Sequence, residues 1–371
     1  NSSSTVSEEV GCPVYFIAVL HKSMPKFSPH QLTAIAEDVF VAAGLEQGEA
    51  RTVAEHLVQA NLAGHDSHGV LRIPEYVEWM EAGDVVPGQH IAIVHETDIM
   101  AVMEGGWGFG QVIGLEAFEV AMEKARENGV GIIAVSRCGH IGRVGHYPYL
   151  AAEQGLVTVM FVNTHGGGKL AAPWGGRGRR LSANPISVGI PRKDGEPLVL
   201  DMATSAIADG KLKDMLNRGV PAPAGCIVDA DGNPTTDPAA YVGPPEGALL
   251  PFGGHKGFGL SFVIDILAGA LSGAGCSRDG VNRIGNGFLA IVIQPEKLRD
   301  GDGFYADVEG LVQHVKGSEP AAGFDEILAP GEPEIRTRQQ RMREGIVIDD
   351  TAWGKICAAA ARYGVRLTAS E

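Results

Sequence analysis

The apolar residues of this 371-residue chain recur with a helical period at both ends and a strand period between them. That double change restricts the fold to an α/β body joined to a helical layer. Ser28-Pro29-His30-Gln31 reads as a capping box with proline at the first helical position, and Leu32, Ile35, Ala36, Val39 and Phe40 follow at helical spacing up to Gly44. Helices are expected over about 29–43 and 48–63, with a third from after Pro74 to the stop at Gly83. From about residue 90, short β-rich runs at 91–94, 130–135, 156–162, 186–190, 198–200 and 288–293 alternate with helices near 111–128, 145–154 and 258–271. Helix returns at about 350–363, with Asp350 as N-cap and Gly364 as stop. Residues 26–88, with 345–371 packing back onto them, therefore read as one helical domain, beside an α/β domain over 89–344. Residues 1–25 read as a loosely packed extension, and 217–247 as a long surface excursion turning at Asp231-Gly232-Asn233-Pro234.

Charge narrows the partners. With 30 Lys+Arg against 45 Asp+Glu the formal charge is −15, which repels phosphate backbones and anionic bilayers, so neither nucleic acid nor membrane is an expected partner. The cysteines (Cys12, Cys138, Cys226, Cys276, Cys357) are scattered and odd in number, and show neither a disulfide framework nor a CxxC metal site. A reducing cytoplasm is expected. The apolar run Val14 to Leu20 lacks a basic leader and reads as no secretion signal.

Three loops concentrate polar side chains. Gly64-His65-Asp66-Ser67-His68-Gly69, followed by Arg72, lies at a helix junction. Reducing a 2-oxo acid needs a proton donor for the carbonyl oxygen and a guanidinium for the carboxylate; His68, with Ser67 as orienting partner, and Arg72 supply both. Capping and turn chemistry is the competing reading of the same residues. The second loop, Arg137 to Arg143, follows the strand Val130 to Val135 and opens a helix, a β-loop-α-β unit suited to a diphosphate. It carries no GxGxxG, and the next strand ends in Asn163 rather than a ribose-holding acid, so a Rossmann fingerprint fails twice. His140 reads either as a helix-start histidine bonded to backbone or as a catalytic group. The third loop, Pro251 to Gly259, lets backbone approach a ligand while Lys256 offers a cation, and it is not a Walker A motif; Asp265 behind it reads as buried and paired.

Other chemistries compete for these residues. A serine hydrolase would use Ser67 with His165-Gly166-Gly167-Gly168 as oxyanion loop, but Gly-x-x-Ser-x-Gly is the wrong elbow spacing. A metal site could join His65 and His68 to His140 or His146, yet no carboxylate stands at familiar ligand spacing, and no metal is expected. A non-catalytic, dinucleotide-binding scaffold leaves the intact Ser67, His68, Arg72 and His140 set unexplained.

Taken together, Ala63 to Gly69, Gly139-His140-Ile141-Gly142, Asn184-Pro185, Leu200 to Ser205, Gly253 to Gly257 and Leu328 to Glu332 resemble the malate/L-lactate dehydrogenase family of 2-hydroxyacid oxidoreductases. The likeness spans about 28–364. Within that family His140 to Arg143, Asp229 to Thr236 and Arg336 to Gly345 are similar to the hydroxycarboxylate dehydrogenase B branch. The resemblance implies a non-Rossmann, mixed-sheet dinucleotide-binding domain with a helical domain formed from both chain ends, and a homodimer. It implies hydride transfer between nicotinamide and C2 of a malate-, lactate- or aryl-lactate-type acid, with NAD as cofactor and NADP as the alternative. By the same likeness Ser67 and His68 form a proton relay, and His140 is a second acid/base candidate. Arg72, Ser67 and Ser182 meet the substrate. His140, Ile141, Gly142, Arg143, Val144, Asp201, Met202, Ala203, Gly253, Gly254, His255, Lys256, Pro330, Gly331 and Glu332 line the dinucleotide. Two departures stand out: Asp209-Gly210-Lys211 where cyclic-imine reductases carry His-Gly-Asp, which weighs against imine reduction, and Ser182-Ala183-Asn184 where Gly-Thr-Asn is commoner.

Overall fold

The computed structural model describes residues 24–367; the extension expected over 1–25 lies almost wholly outside them, as does Cys12. The chain enters through β1 (Lys26–Phe27), α1 (Pro29–Ala42), α2 (Gln47–Leu62) and α3 (Ile73–Glu81). The capping box forms as the sequence predicts: Ser28 Oγ accepts from Gln31 N while Gln31 accepts from Ser28 N. Between α2 and α3 the chain makes two 3-10 turns, Asp66–His68 and Val70–Arg72.

The body follows as β2 (Ala92–Glu96), β3 (Met100–Glu104), α4 (Gly110–Asn128), β4 (Val130–Cys138), α5 (His146–Glu153), β5 (Val157–Asn163), β6 (Ile186–Ile190) and β7 (Leu198–Met202). Then come α6 (Asp209–Arg218), β8 (Ile227–Val228), β9 (Pro234–Thr235), α7 (Pro238–Val242) and β10 (Ala248–Leu249). The stretch expected to be a surface excursion is instead a small structured lobe. Strands β10, β8 and β9 form an antiparallel sheet around buried Ile227, Tyr241 and Leu249, and Asp229 Oδ1 ties its turn by accepting from the backbone N–H groups of Asp231 and Asn233. The chain closes with α8 (His255–Asp265), which runs on into a π turn over Ile266–Ala270, β11 (Asn286–Ile293), α9 (Gly301–Lys316), α10 (Glu332–Glu344), β12 (Ile346–Val347) and α11 (Asp350–Arg362).

The main sheet has the order β2-β3-β4-β11-β5-β6-β7, and only β3 and β4 run parallel. It is a mixed sheet, unlike the parallel sheet of a doubly wound dinucleotide fold. Strand β11, from late in the chain, inserts between β4 and β5, so the sheet brings the loops after β4 and β5 beside a segment more than 120 residues away. Its core packs Ile133, Val135, Met160, Phe288 and Ala290 against Phe118 and Ala121 of α4. Burying each large apolar side chain contributes roughly 1.5–3 kcal/mol.

A second core joins both chain ends: Leu32, Val39, Phe40, Val53 and Leu57 pack with Ile346, Ile348, Trp353 and Ile356. Strand β1 pairs antiparallel with β12, and the Phe27 and Trp353 rings lie 4.6 Å apart. Phe109 and Val112, at the start of α4, belong to this core too. Helix α11 is capped one residue earlier than expected, by Asp349, whose carboxylate accepts from Ala352 N.

Candidate functional site

The turn between α2 and α3 is held by side chains that do no chemistry. Asp66 receives both terminal nitrogens of Arg341, at 2.6 and 2.9 Å, and Asn61 Nδ2 at 2.6 Å, while Asn61 Oδ1 accepts from Val70 N. Asp66 is thereby a structural anchor. The bracing turns Ser67 and His68 the other way: Ser67 Oγ lies 3.0 Å from His68 Nδ1, and no hydrogen-bond partner among the described residues reaches His68 Nε2. Burial, and then the Arg72 cation, push the His68 imidazole down to about 3, so the ring is neutral near pH 7.

Arg72 donates through Nε to Ser67 O at 2.6 Å and through Nη1 to Glu75. A side-on, two-point grip on a carboxylate is therefore partly taken by the protein itself. Nη2 has no acceptor among the described residues, so a carboxylate reaches this guanidinium end-on or by displacing Glu75.

The loop after β4 brings His140 to the same place. Its ring stacks on His68 with centroids 5.6 Å apart and planes 19° apart, and Trp79 and Tyr76 flank it at 6.1 and 5.9 Å. Burial, then Arg72 and His68, hold His140 well below the ordinary histidine range. Tyr76 Oη lies 2.8 Å from His140 Nδ1, Gln111 Nε2 donates to Tyr76 Oη at 2.8 Å, and Gly142 N donates to Nδ1 at 3.3 Å. Tyr76 belongs to the helical core and nothing in the local sequence marks Gln111. Their role is visible only because α3 and α4 converge on the loop.

The segments expected to line a dinucleotide fit one in part. The loop over 140–145 does not offer a row of free amides: Ile141 N donates to Asn286 Oδ1, Arg143 N to His56 Nε2, and Gly145 N to Asp201 Oδ2. With Gly142 N on His140, its backbone is spent on its own shape, and the positive charge it contributes is Arg143, 3.5 Å from Asp201. Asp201, on β7, thus fastens this loop to the sheet, with Met202 closing the strand and Ala203 beyond it. Val144 N has no acceptor among the described residues. Gly253 and Gly254 sit at φ +56° and +64° ahead of α8, a conformation that favours glycine, and a Cβ on Gly254 would meet the Trp174 ring at 2.8 Å. Beside them His255 and Lys256 are exposed, and Lys256 has no carboxylate partner among the described residues. Pro330 O accepts from Val199 N, which lays Pro330-Gly331 along β7; Glu332 spends its carboxylate on Ala329 N and Lys316. Arg143 and Gly331 line a cavity of about 600 Å³ together with His56, His146 and Arg338, and the guanidinium groups of Arg143 and Arg338 there suit an anion; Gly253, Gly254 and Lys256 are not among its lining residues.

Other expected residues fall elsewhere. Ser182 is buried beside Ser261, and no hydrogen bond among the described residues joins it to His68, His140 or Arg72. Asp209 is tied to Tyr241 and Lys213, away from the histidines, whereas a Cβ on Gly210 would lie 2.7 Å from Ser67 Cβ. Asn163 binds Asp265 and the Gly275 carbonyl, which makes it a brace of the sheet and accounts for the buried Asp265. His165 accepts from Arg137 N and packs on Trp107, so its glycine loop is not an oxyanion hole for Ser67, which follows a helix rather than a strand. His65 pairs with Glu334 at 3.4 Å and His146 packs on His56; among the described residues no group of three or more His, Cys, Asp or Glu could hold a metal ion.

The chain as a whole has known relatives. The family model for malate/L-lactate dehydrogenase matches residues 27–357. Hydroxycarboxylate dehydrogenase B of Escherichia coli O157:H7 is 40% identical over 345 residues, covering 92% of this chain and 95% of that protein. L-lactate dehydrogenase of Cupriavidus necator is 39% identical, covering 85% and 91%. The solved malate dehydrogenase of Pyrococcus horikoshii OT3 superposes with a TM-score of 0.85 at 32% identity, covering 94% of this chain and 98% of that one. A mixed sheet of this order, shared nearly end to end with such relatives, makes the molecule an oxidoreductase of 2-hydroxy acids that uses a nicotinamide cofactor. The chain belongs to the malate/L-lactate dehydrogenase family.

Proposed function

We propose that the protein interconverts a small 2-oxo and 2-hydroxy carboxylic acid, with His68 exchanging the proton of the C2 oxygen and Arg72 holding the carboxylate. The observation that carries this is the stacked His68–His140 pair with the Arg72 guanidinium close enough to depress both rings. The dinucleotide, when bound, supplies the hydride at its nicotinamide ring. In the oxidation direction the neutral His68 Nε2 accepts the substrate hydroxyl proton, and Ser67 Oγ accepts from Nδ1–H as the ring becomes cationic. A bound carboxylate offsets the Arg72 charge, which raises His68 toward a useful acid in the complex.

NAD is the cofactor proposed. The guanidinium groups at 137–143 and 177–180 are engaged: Arg137 with Glu104, Arg143 with Asp201, Arg179 with Glu246, Arg180 with Asp279, and Arg177 with Asp231 at 4.0 Å; Arg338, on the cavity wall, lies over the Tyr149 ring. Absorbance at 340 nm with NADH or NADPH and a panel of pyruvate, oxaloacetate, phenylpyruvate, hydroxyphenylpyruvate and a cyclic imine tests both points. Oxidation of NADH by a 2-oxo acid is the expected result; cofactor binding without turnover on any of them would overturn the reading.

A homodimer in a reducing cytoplasm completes the proposal. Helix α8 and its π turn leave Phe262, Val263, Ile266 and Leu271 about half exposed on the segment that begins with His255 and Lys256, an apolar face fit for a second copy. Sedimentation should give twice the chain mass, and Phe262→Asp should shift it to the monomer; a wild-type monomer at all concentrations sinks the dimer. Cys138, Cys226, Cys276 and Cys357 are free, and among the described residues no helix is long and apolar enough to cross a membrane.

A further inference from the structure

The direction of the hydrogen bonds behind His140 is set by the one fixed donor among them. A backbone N–H can donate and never accept, so Gly142 N, 3.3 Å from His140 Nδ1, requires a lone pair on that nitrogen. Gly142 sits at φ +72°, where a Cβ would meet His56 Nε2 at 2.5 Å, so the position calls for glycine. Tyr76 Oη, 2.8 Å from the same Nδ1, then donates its proton to it, taking the larger share of the single lone pair from the longer Gly142 contact. Having donated, the tyrosine oxygen is left to accept, and Gln111 Nε2 stands 2.8 Å away as the donor. Gln111 is fully buried and Tyr76 only 1% exposed, so water does not compete for either group. Gln111 Oε1 is buried without a partner, which leaves the bond to Tyr76 as the one its side chain makes among the described residues.

With Nδ1 an acceptor, the neutral ring carries its hydrogen on Nε2. That nitrogen has no partner among the described residues, and the half-buried ring lies over His68. His68 differs: its Nδ1 faces a serine hydroxyl, which accepts from Nδ1–H and leaves the Nε2 lone pair free to take up a proton. We infer that Gln111 and Tyr76 lock His140 as the Nε2–H tautomer, making it a permanent hydrogen-bond donor to the C2 oxygen while His68 alone changes protonation. This assignment rests on the proposed reaction, and it makes Tyr76 and Gln111 positioning residues rather than catalytic ones. It divides labour within a pair of histidines that look alike in sequence: a fixed donor polarises the oxygen without gaining or losing charge, and the second ring carries the proton.

The full chain labelled with 15N-histidine tests the lock, with His140→Gln used to assign the signals. Long-range 1H–15N spectra near neutral pH should show His140 Nδ1 as unprotonated and Nε2 as protonated. A protonated Nδ1, or an even mixture of tautomers, overturns the inference whatever any variant does. Tyr76→Phe should blur the tautomer preference and lower kcat about tenfold or more while changing KM for the 2-oxo acid little. Gln111→Glu, whose carboxylate can only accept from Tyr76, should drive the tautomer toward Nδ1–H; an unchanged spectrum in that variant counts against the lock. Failure of the proposed reaction would show separately, as a wild-type protein without turnover, because the tautomer signals are read without substrate.

Discussion

His68→Ala is expected to lower kcat for a 2-oxo acid by about 10²–10⁴-fold, the usual contribution of a positioned acid/base, with cofactor affinity little changed. The pH dependence carries the sharper information. In the free enzyme burial and Arg72 hold His68 at about 3, so kcat/KM should show no histidine limb between pH 5 and 8. In the ternary complex a substrate carboxylate offsets Arg72, so the same limb in the kcat profile should lie higher. A wild-type kcat/KM profile that falls with a midpoint near 6.5, and loses that limb in His68→Ala, would disprove the depression. Stability is linked in the same sense. The unfolded chain takes up the proton near 6.5 and the folded one only near 3, so this contribution is complete above about pH 6.5 and is lost as pH falls toward 3. Urea midpoints measured across that window should decline less steeply in His68→Ala than in the wild type.

Arg72→Lys retains the cation and loses the planar fork, and is expected to reduce kcat/KM about 10²-fold, by raising KM and misplacing C2. Two contacts disappear with the guanidinium: the Nε bond to Ser67 O, which fixes the turn carrying His68, and the pair with Glu75. The effect should therefore appear in kcat as well as in KM. Steady-state kinetics with both constants unchanged would remove Arg72 from the site.

Much of this site was legible because its chemistry is local. Ser67, His68 and Arg72 fall within six residues, on two successive 3-10 turns that follow the end of α2. The elements that went unseen lack the pattern that reveals an element. Helix α10 buries no side chain and is held by ion pairs from Arg336 to Glu326 and Arg341 to Asp66, so it has no apolar stripe to read. Strand β3, Met-Ala-Val-Met-Glu, has few β-branched residues and owes its state to parallel pairing with β4. The lobe around Tyr241 hides among prolines and glycines because its strands are two residues long. The loop after β4 looked like an amide cradle, yet its N–H groups are consumed by His56, Asp201 and Asn286, all far away in sequence.

Taken alone, the order of residues determined what depends on neighbours within a turn or two: the Ser28 capping box, the helix spans at both ends, the alternation of strand and helix between them, and the pairing of an acid/base candidate with a guanidinium. Tertiary structure decided which distant groups share a desolvated space. It set β11 between β4 and β5, stacked His140 on His68, and placed Gln111 and Tyr76 behind a ring 64 positions from the tyrosine. Hydrogen-bond direction, ring protonation and charge compensation depend on what lies within a few ångströms once water is excluded, and that neighbourhood exists only after the sheet and the two chain ends have closed around it.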